Sequence, residues 1–151
     1  MKNLVKNILS KDDLTAISQA VGEVEKYTSG EVRVSIRQRR QWSEKKLSLE
    51  EIARQEFSML GMANTKDRTG VLIFLLLEDR RFYILADETI NTKVESGTWN
   101  RIADDMSQLF SKKSFREGII CGVRSVGKVL SANFPIQKDD KNELPNNVHI
   151  N

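Results

Sequence analysis

The stretch Gly70-Val-Leu-Ile-Phe-Leu-Leu-Leu77 is apolar on both faces of an extended chain. A strand of that kind must be covered on both sides, so it reads as the central strand of a sheet lying between helices. It is far short of the ~20 residues that a membrane-spanning helix needs. Glu78-Asp-Arg-Arg81 follows as a polar turn, and Phe82-Tyr-Ile-Leu-Ala-Asp87 then returns as the antiparallel partner of a hairpin.

The flanking segments supply the cover. Ser10 with Asp13 three residues on has the form of a helix start, and Leu14, Ile17, Val21 and Val24 recur on one helical face until Ser29-Gly30. Glu31-Val-Arg-Val-Ser-Ile-Arg37 alternates with period two, which predicts a half-exposed strand with Val32, Val34 and Ile36 inward and Arg33, Ser35 and Arg37 outward. Ser48-Leu-Glu-Glu51 opens a second helix with an apolar stripe of Leu49, Ile52, Ala53, Phe57 and Leu60, stopped by Gly61. Trp99, Ile102, Ala103, Met106, Leu109 and Phe110 mark a third helix. Ser114-Phe-Arg-Glu117 has the form of a capping box for a fourth, which carries Ile120, Val123 and Leu130. Gly118, Gly122 and Gly127 lie inside that fourth helix, where each costs about 1 kcal/mol relative to Ala, so close approach to a neighbouring backbone is the expected reason for them. Residues 1–10 read as an N-terminal extension, 11–135 as the α/β domain and 136–151, aperiodic and polar, as a C-terminal tail.

A chain of 151 residues with a net charge of +3 is expected to build one core, and the small charge excess by itself points to no polyanion partner. Met1 to Ser10 lacks an uninterrupted apolar segment and a cleavage signal, so a cytoplasmic location is the expectation. With Cys121 as the only cysteine and His149 as the only histidine, an internal disulfide, a thiolate zinc cluster and a supported Cys-His pair are excluded. Any bound metal must be held by oxygen.

Strand, helix and strand from Glu31 to Leu77 form a βαβ unit, which makes those two strands parallel, and the hairpin then reverses direction. The expected architecture is therefore α/β, a short mixed sheet sandwiched between helices. The start of the first strand at Glu31, the loop Thr65-Lys-Asp-Arg-Thr69 and the exit at Asp87-Glu88 then share one edge of the sheet. Carboxylates there suit a hard cation, Ca²⁺ or alternatively Mg²⁺. The plain alternative is surface acids paired with Lys66 or Arg68. The opposite edge collects Arg37, Arg39, Arg40, Arg80 and Arg81 near Trp42, which suggests phosphate or an anionic polymer, although Glu44, Glu50, Glu51, Glu78 and Asp79 interrupt it and argue against nucleic acid. No Gly-rich phosphate cradle is present.

Several stretches carry a family likeness. Tyr27-Thr-Ser-Gly-Glu-Val-Arg-Val34, Leu60-Gly-Met62, Arg68-Thr-Gly-Val-Leu-Ile-Phe74, Asp87 with Ile90-Asn91, Phe115-Arg-Glu-Gly-Ile119 and Asn142-Glu-Leu-Pro145, in that order, resemble the TPM domain family, and in particular its short bacterial members without a membrane anchor. The resemblance implies a mixed sheet between helices with one short strand beyond those read above. It also implies Ca²⁺ binding, with Glu31, Asp67 and Asp87 at the matching acidic positions; where many relatives carry a glycine-containing turn, this sequence departs with Ala86-Asp-Glu-Thr-Ile90, which offers Glu88 as an additional ligand. Plant members of the family are associated with acid phosphatase activity. The resulting expectation is an accessory domain with little or no catalysis and an unidentified protein partner. A divalent-dependent phosphatase, with Arg68 available for the phosphate, is the enzymatic alternative.

Overall fold

A computed structural model describes residues 3–64, 69–136 and 146–151. The doubly apolar run forms strand β2 (Gly70–Leu76), buried along its whole length. It lies between β1 (Glu31–Arg37), parallel to it, and β3 (Arg81–Ala86), antiparallel to it. A two-residue strand β4 (His149–Ile150) adds in parallel to the outer side of β1, so the sheet order is β3-β2-β1-β4. This is the mixed sheet and the extra short strand that were expected. It is drawn from the segment read as a tail.

Alternate residues of β2 feed two cores. Val71, Ile73 and Leu75 meet Val32, Val34 and Ile36 under helices α2 (Lys11–Glu25), α5 (Thr98–Ser111) and α6 (Phe115–Asn133). Leu72, Phe74 and Leu76 meet Leu49, Ile52, Ala53 and Phe57 of α3 (Leu49–Met59). Helix α1 (Leu4–Ile8) joins the first core through Val5, followed by Leu9 just past its end, so part of the N-terminal extension packs on the domain.

Helix boundaries follow the local chemistry in part. Ser10 and Asp13 form the reciprocal capping box, and Ser48 Oγ accepts from the Glu51 N–H. Ser114 makes no side-chain cap. Helix α2 stops at Glu25, ahead of Ser29-Gly30. The three glycines of α6 do sit at close approaches, but against side chains rather than backbone: a Cβ would fall 2.5 Å from Phe110 at Gly118, 2.5 Å from Met106 Sδ at Gly122 and 2.6 Å from Val24 Cβ at Gly127.

One expectation is corrected. The polar face of β1 is not open to solvent: Ser35 and Arg37 are buried. Helix α3 and the loop after β1 cover this face, and each brings a carboxylate to it, Glu56 and Glu44, both buried. A polar strand face is thereby matched by acids set into the covering elements.

Candidate functional site

The sheet places Glu31, Gly70 and Asp87 in one row. Glu31 pairs with Gly70 across β1 and β2, and the Asp87 N–H donates to the Gly70 carbonyl at 2.9 Å. Residues in one row project to the same face, and two strand spacings put Glu31 and Asp87 about 9.5 Å apart at the backbone. The space over Gly70 between them is taken by Met62 and Phe57. Asp87 is 7 % exposed and caps the short helix α4 (Glu88–Asn91), its Oδ1 accepting from the Thr89 N–H at 3.0 Å. Asn91 then braces that turn, donating to the Ala86 carbonyl and accepting from Trp99 Nε1. Glu88 is exposed at the first position of α4. Asp67 lies outside the described residues, two positions before Thr69, whose carbonyl accepts from the Glu31 N–H.

Glu31, only 4 % exposed, has a carboxylate neighbour that sequence reasoning missed. Glu25, the last residue of α2, reaches over the outer edge of β1, and its Oε2 accepts from the Val32 N–H at 3.2 Å. Its Oε1 is buried with no donor among the described residues. The carboxyl group of Glu31 lies within hydrogen-bonding reach of the Glu25 carboxyl, and two carboxyls make a hydrogen bond only when one carries a proton. Burial, then the hydrogen bond and the charge of Glu31, push the Glu25 carboxyl up to about 9, against the opposing pull of the Val32 N–H. At neutral pH the Glu25 carboxyl therefore keeps its proton and can share it with the Glu31 carboxyl group. The signal was present in the sequence as two acids six residues apart on either side of the helix-to-strand turn.

That turn is itself fixed. Thr28 is buried, and its hydroxyl donates to the Phe134 carbonyl at 2.5 Å, to which the Ser29 N–H also donates at 2.9 Å, while the Gly30 N–H donates to Thr28 Oγ1. The end of α6 thus anchors the segment between the two glutamates. Buried oxygen donors, one of them without a donor of its own, fit a hard cation, which accepts carboxylate and backbone carbonyl oxygens alike. Among the described residues, no three His, Cys, Asp or Glu side chains stand close enough together to hold a metal ion. Glu31 thus meets Glu25 in the described structure, and Asp87 and Glu88 stand apart on the far side of Gly70.

At the other end of the sheet the arginines are divided. Arg37 grips Glu44 with both amino nitrogens, at 2.7 to 2.9 Å, in a buried ion pair. Arg40 binds Asp79 at 2.8 Å and donates to the carbonyls of Glu44 and Leu47. Both serve to fasten the loop after β1. Arg80 and Arg81 are exposed.

The model of a protein family described as TPM domain matches residues 4–129. Among solved structures, the chain is similar to the BA42 protein of the psychrophilic bacterium Bizionia argentinensis, with 33 % identity over 95 % of each chain and a TM-score of 0.85. It also shares its fold with the N-terminal domain of the cg2496 protein from Corynebacterium glutamicum, at 16 % identity over 82 % of this chain and 75 % of that one and a TM-score of 0.59. No curated protein matches it significantly.

Proposed function

Because the chain belongs to the TPM domain family, we propose that its carboxylate end binds a divalent cation, Ca²⁺ in preference to Mg²⁺, and that the domain acts as an accessory module rather than a catalyst. The observation that carries this reading is the meeting of half-buried Glu25, whose Oε1 is buried without a donor among the described residues, with the buried Glu31 at the start of β1, where the shifted Glu25 carboxyl keeps a proton. A cation placed between two carboxylates neutralises both and removes the need for that proton. Glu25 and Glu31 would be the protein's central ligands. Asp67, outside the described residues, is proposed as a third ligand on the family resemblance, and Asp87 and Glu88 add negative charge from across Gly70. Ca²⁺ is favoured because it accepts irregular coordination and carbonyl oxygens, whereas Mg²⁺ demands near-octahedral geometry and keeps most of its water.

Calorimetric titration with Ca²⁺ at pH 7, in two buffers of different ionisation enthalpy, tests the reading. The expected result is about one proton released per ion bound. Absence of heat up to millimolar Ca²⁺, or binding without proton release, overturns it. The phosphatase alternative uses the same centre and stands or falls on turnover: hydrolysis of phosphomonoesters by the native chain that Glu25→Gln with Glu31→Gln abolishes would establish it in place of the accessory reading.

A further inference from the structure

We propose that the basic end of the domain is a docking surface for an anionic lipid bilayer, with Trp42 as its interfacial anchor. Trp42 is 83 % exposed, more than any other large apolar residue described. Its exposure is not the accident of a loose loop. The short 3₁₀ turn that carries it (Trp42–Glu44) is fastened to β1 by the buried Arg37 and Glu44 pair, and the Gln41 N–H donates to Glu44 Oε1 at 2.8 Å. Arg40 ties the same loop to the β2 to β3 turn through Asp79. A large indole is thus held out into solvent on a rigid platform. Burying it within the fold would have stabilised the protein, so its orientation calls for another explanation.

The surroundings define the chemistry of what it meets. Lys45 Nζ lies 3.8 Å from the centre of the Trp42 ring, and Lys46 is exposed beside it. Arg80 and Arg81 project from the hairpin turn that Arg40 fastens, Arg80 in a left-handed conformation with φ of 53°. Lys6 lies on α1, which is tied to this end by the Leu4 N–H donating to Gln38 Oε1 at 2.7 Å. The acids at this end are Glu44 and Asp79, paired with Arg37 and Arg40, Glu50, engaged by the Tyr83 hydroxyl and by Arg54, and Glu51 and Glu78. The exposed cations therefore outnumber the unengaged acids at the end of the sheet that carries the indole, with Lys45 directly against it.

A membrane interface accepts such a set: a Trp ring settles at headgroup level, and nearby Lys and Arg meet lipid phosphates. A single-stranded nucleic acid wants successive aromatic faces for successive bases, and here the one exposed indole has Lys45 across one face. The observations favour the bilayer.

The test uses a Trp99→Phe background, so that Trp42 is the only tryptophan and can be excited selectively over the tyrosines, in EDTA to prevent cation bridging. Phosphatidylglycerol-containing vesicles are compared with pure phosphatidylcholine. The expected result is co-sedimentation and a blue shift of Trp42 emission with the anionic vesicles only, reversed by about 0.5 M NaCl. Arg80→Gln with Arg81→Gln should weaken binding about thirtyfold. Trp42→Ala should weaken it while leaving its salt dependence in place. These side chains are exposed, and unchanged thermal melting of the variants verifies that the fold survives. Three results overturn the proposal: no binding to anionic vesicles, binding with unmoved Trp42 emission or indifferent to these substitutions, or retention on heparin or single-stranded DNA with vesicles untouched.

Discussion

Replacing Glu25 by Gln should make the protein more stable at neutral pH, contrary to the usual effect of altering a buried hydrogen-bonded residue. The Gln carbonyl still accepts from the Val32 N–H, and its amide can donate to Glu31 where the shared proton now sits. The native carboxyl titrates at about 9 in the folded chain against 4.5 as its ordinary value. A folded-state value above the unfolded one means that the folded chain holds the proton more tightly. The pair is therefore unpenalised below pH 4.5, and its cost grows by about 1.4 kcal/mol per pH unit until the folded group itself ionises near 9. At pH 7 the accumulated cost is roughly 3 kcal/mol. Urea unfolding of the native chain and Glu25→Gln at pH 5, 7 and 8.5 measures it. The stability difference should favour the variant increasingly from pH 5 to 8.5, and saturating Ca²⁺ should erase much of it by stabilising only the native chain. A difference independent of pH, or a variant less stable at pH 8.5, would refute the carboxyl pairing.

Other substitutions probe the frame around the site. Gly127→Ala puts a methyl 2.6 Å from the branched Cβ of Val24, so despite better helix propensity it should cost roughly 2 kcal/mol in chemical denaturation. Arg37→Ala strands the buried Glu44 carboxylate and should cost about 3–5 kcal/mol, with Arg37→Ala combined with Glu44→Ala costing less than the single change. Glu56→Ala deprives the buried Ser35 hydroxyl, 2.5 Å away, and the Asn151 amide of their acceptor. It should cost roughly 2 kcal/mol and remove hydrogen-exchange protection at the Asn151 N–H, which bonds the Ile36 carbonyl.

Much of the fold was legible because its signals are local. The doubly apolar β2, the alternation in β1 and the stripes of α2, α3 and α5 each follow from residues within one element, and the parallel and antiparallel pairings follow from their order. What escaped depends on contacts between elements. Two residues of β4 carry no period; they form a strand because β1 offers a free edge and Glu56 an acceptor for Asn151. The polar face of β1 looked solvent-exposed because its covering acids are distant in sequence. Yet Glu56 stands four residues after Ile52 and three after Ala53, within the apolar stripe of α3, and a carboxylate in such a stripe demands a buried partner. At the site, Glu31 and Asp87 were placed on the correct edge, but row geometry holds them two strands apart, and the neighbour of Glu31 is Glu25, brought over the sheet edge by the helix end. Of the arginines read as one cluster, Arg37 and Arg40 fasten a loop, whereas Arg80 and Arg81 face solvent.

The most direct test of the central claim is a Ca²⁺ titration at pH 7 followed by ¹H–¹⁵N amide spectra. A cation held by Glu25 and Glu31 should move the amides of Glu25, Glu31, Val32 and Gly70 together with one dissociation constant, and Glu25→Gln with Glu31→Gln should abolish the response. Spectra unchanged to millimolar Ca²⁺, or shifts confined to other parts of the chain, would contradict it.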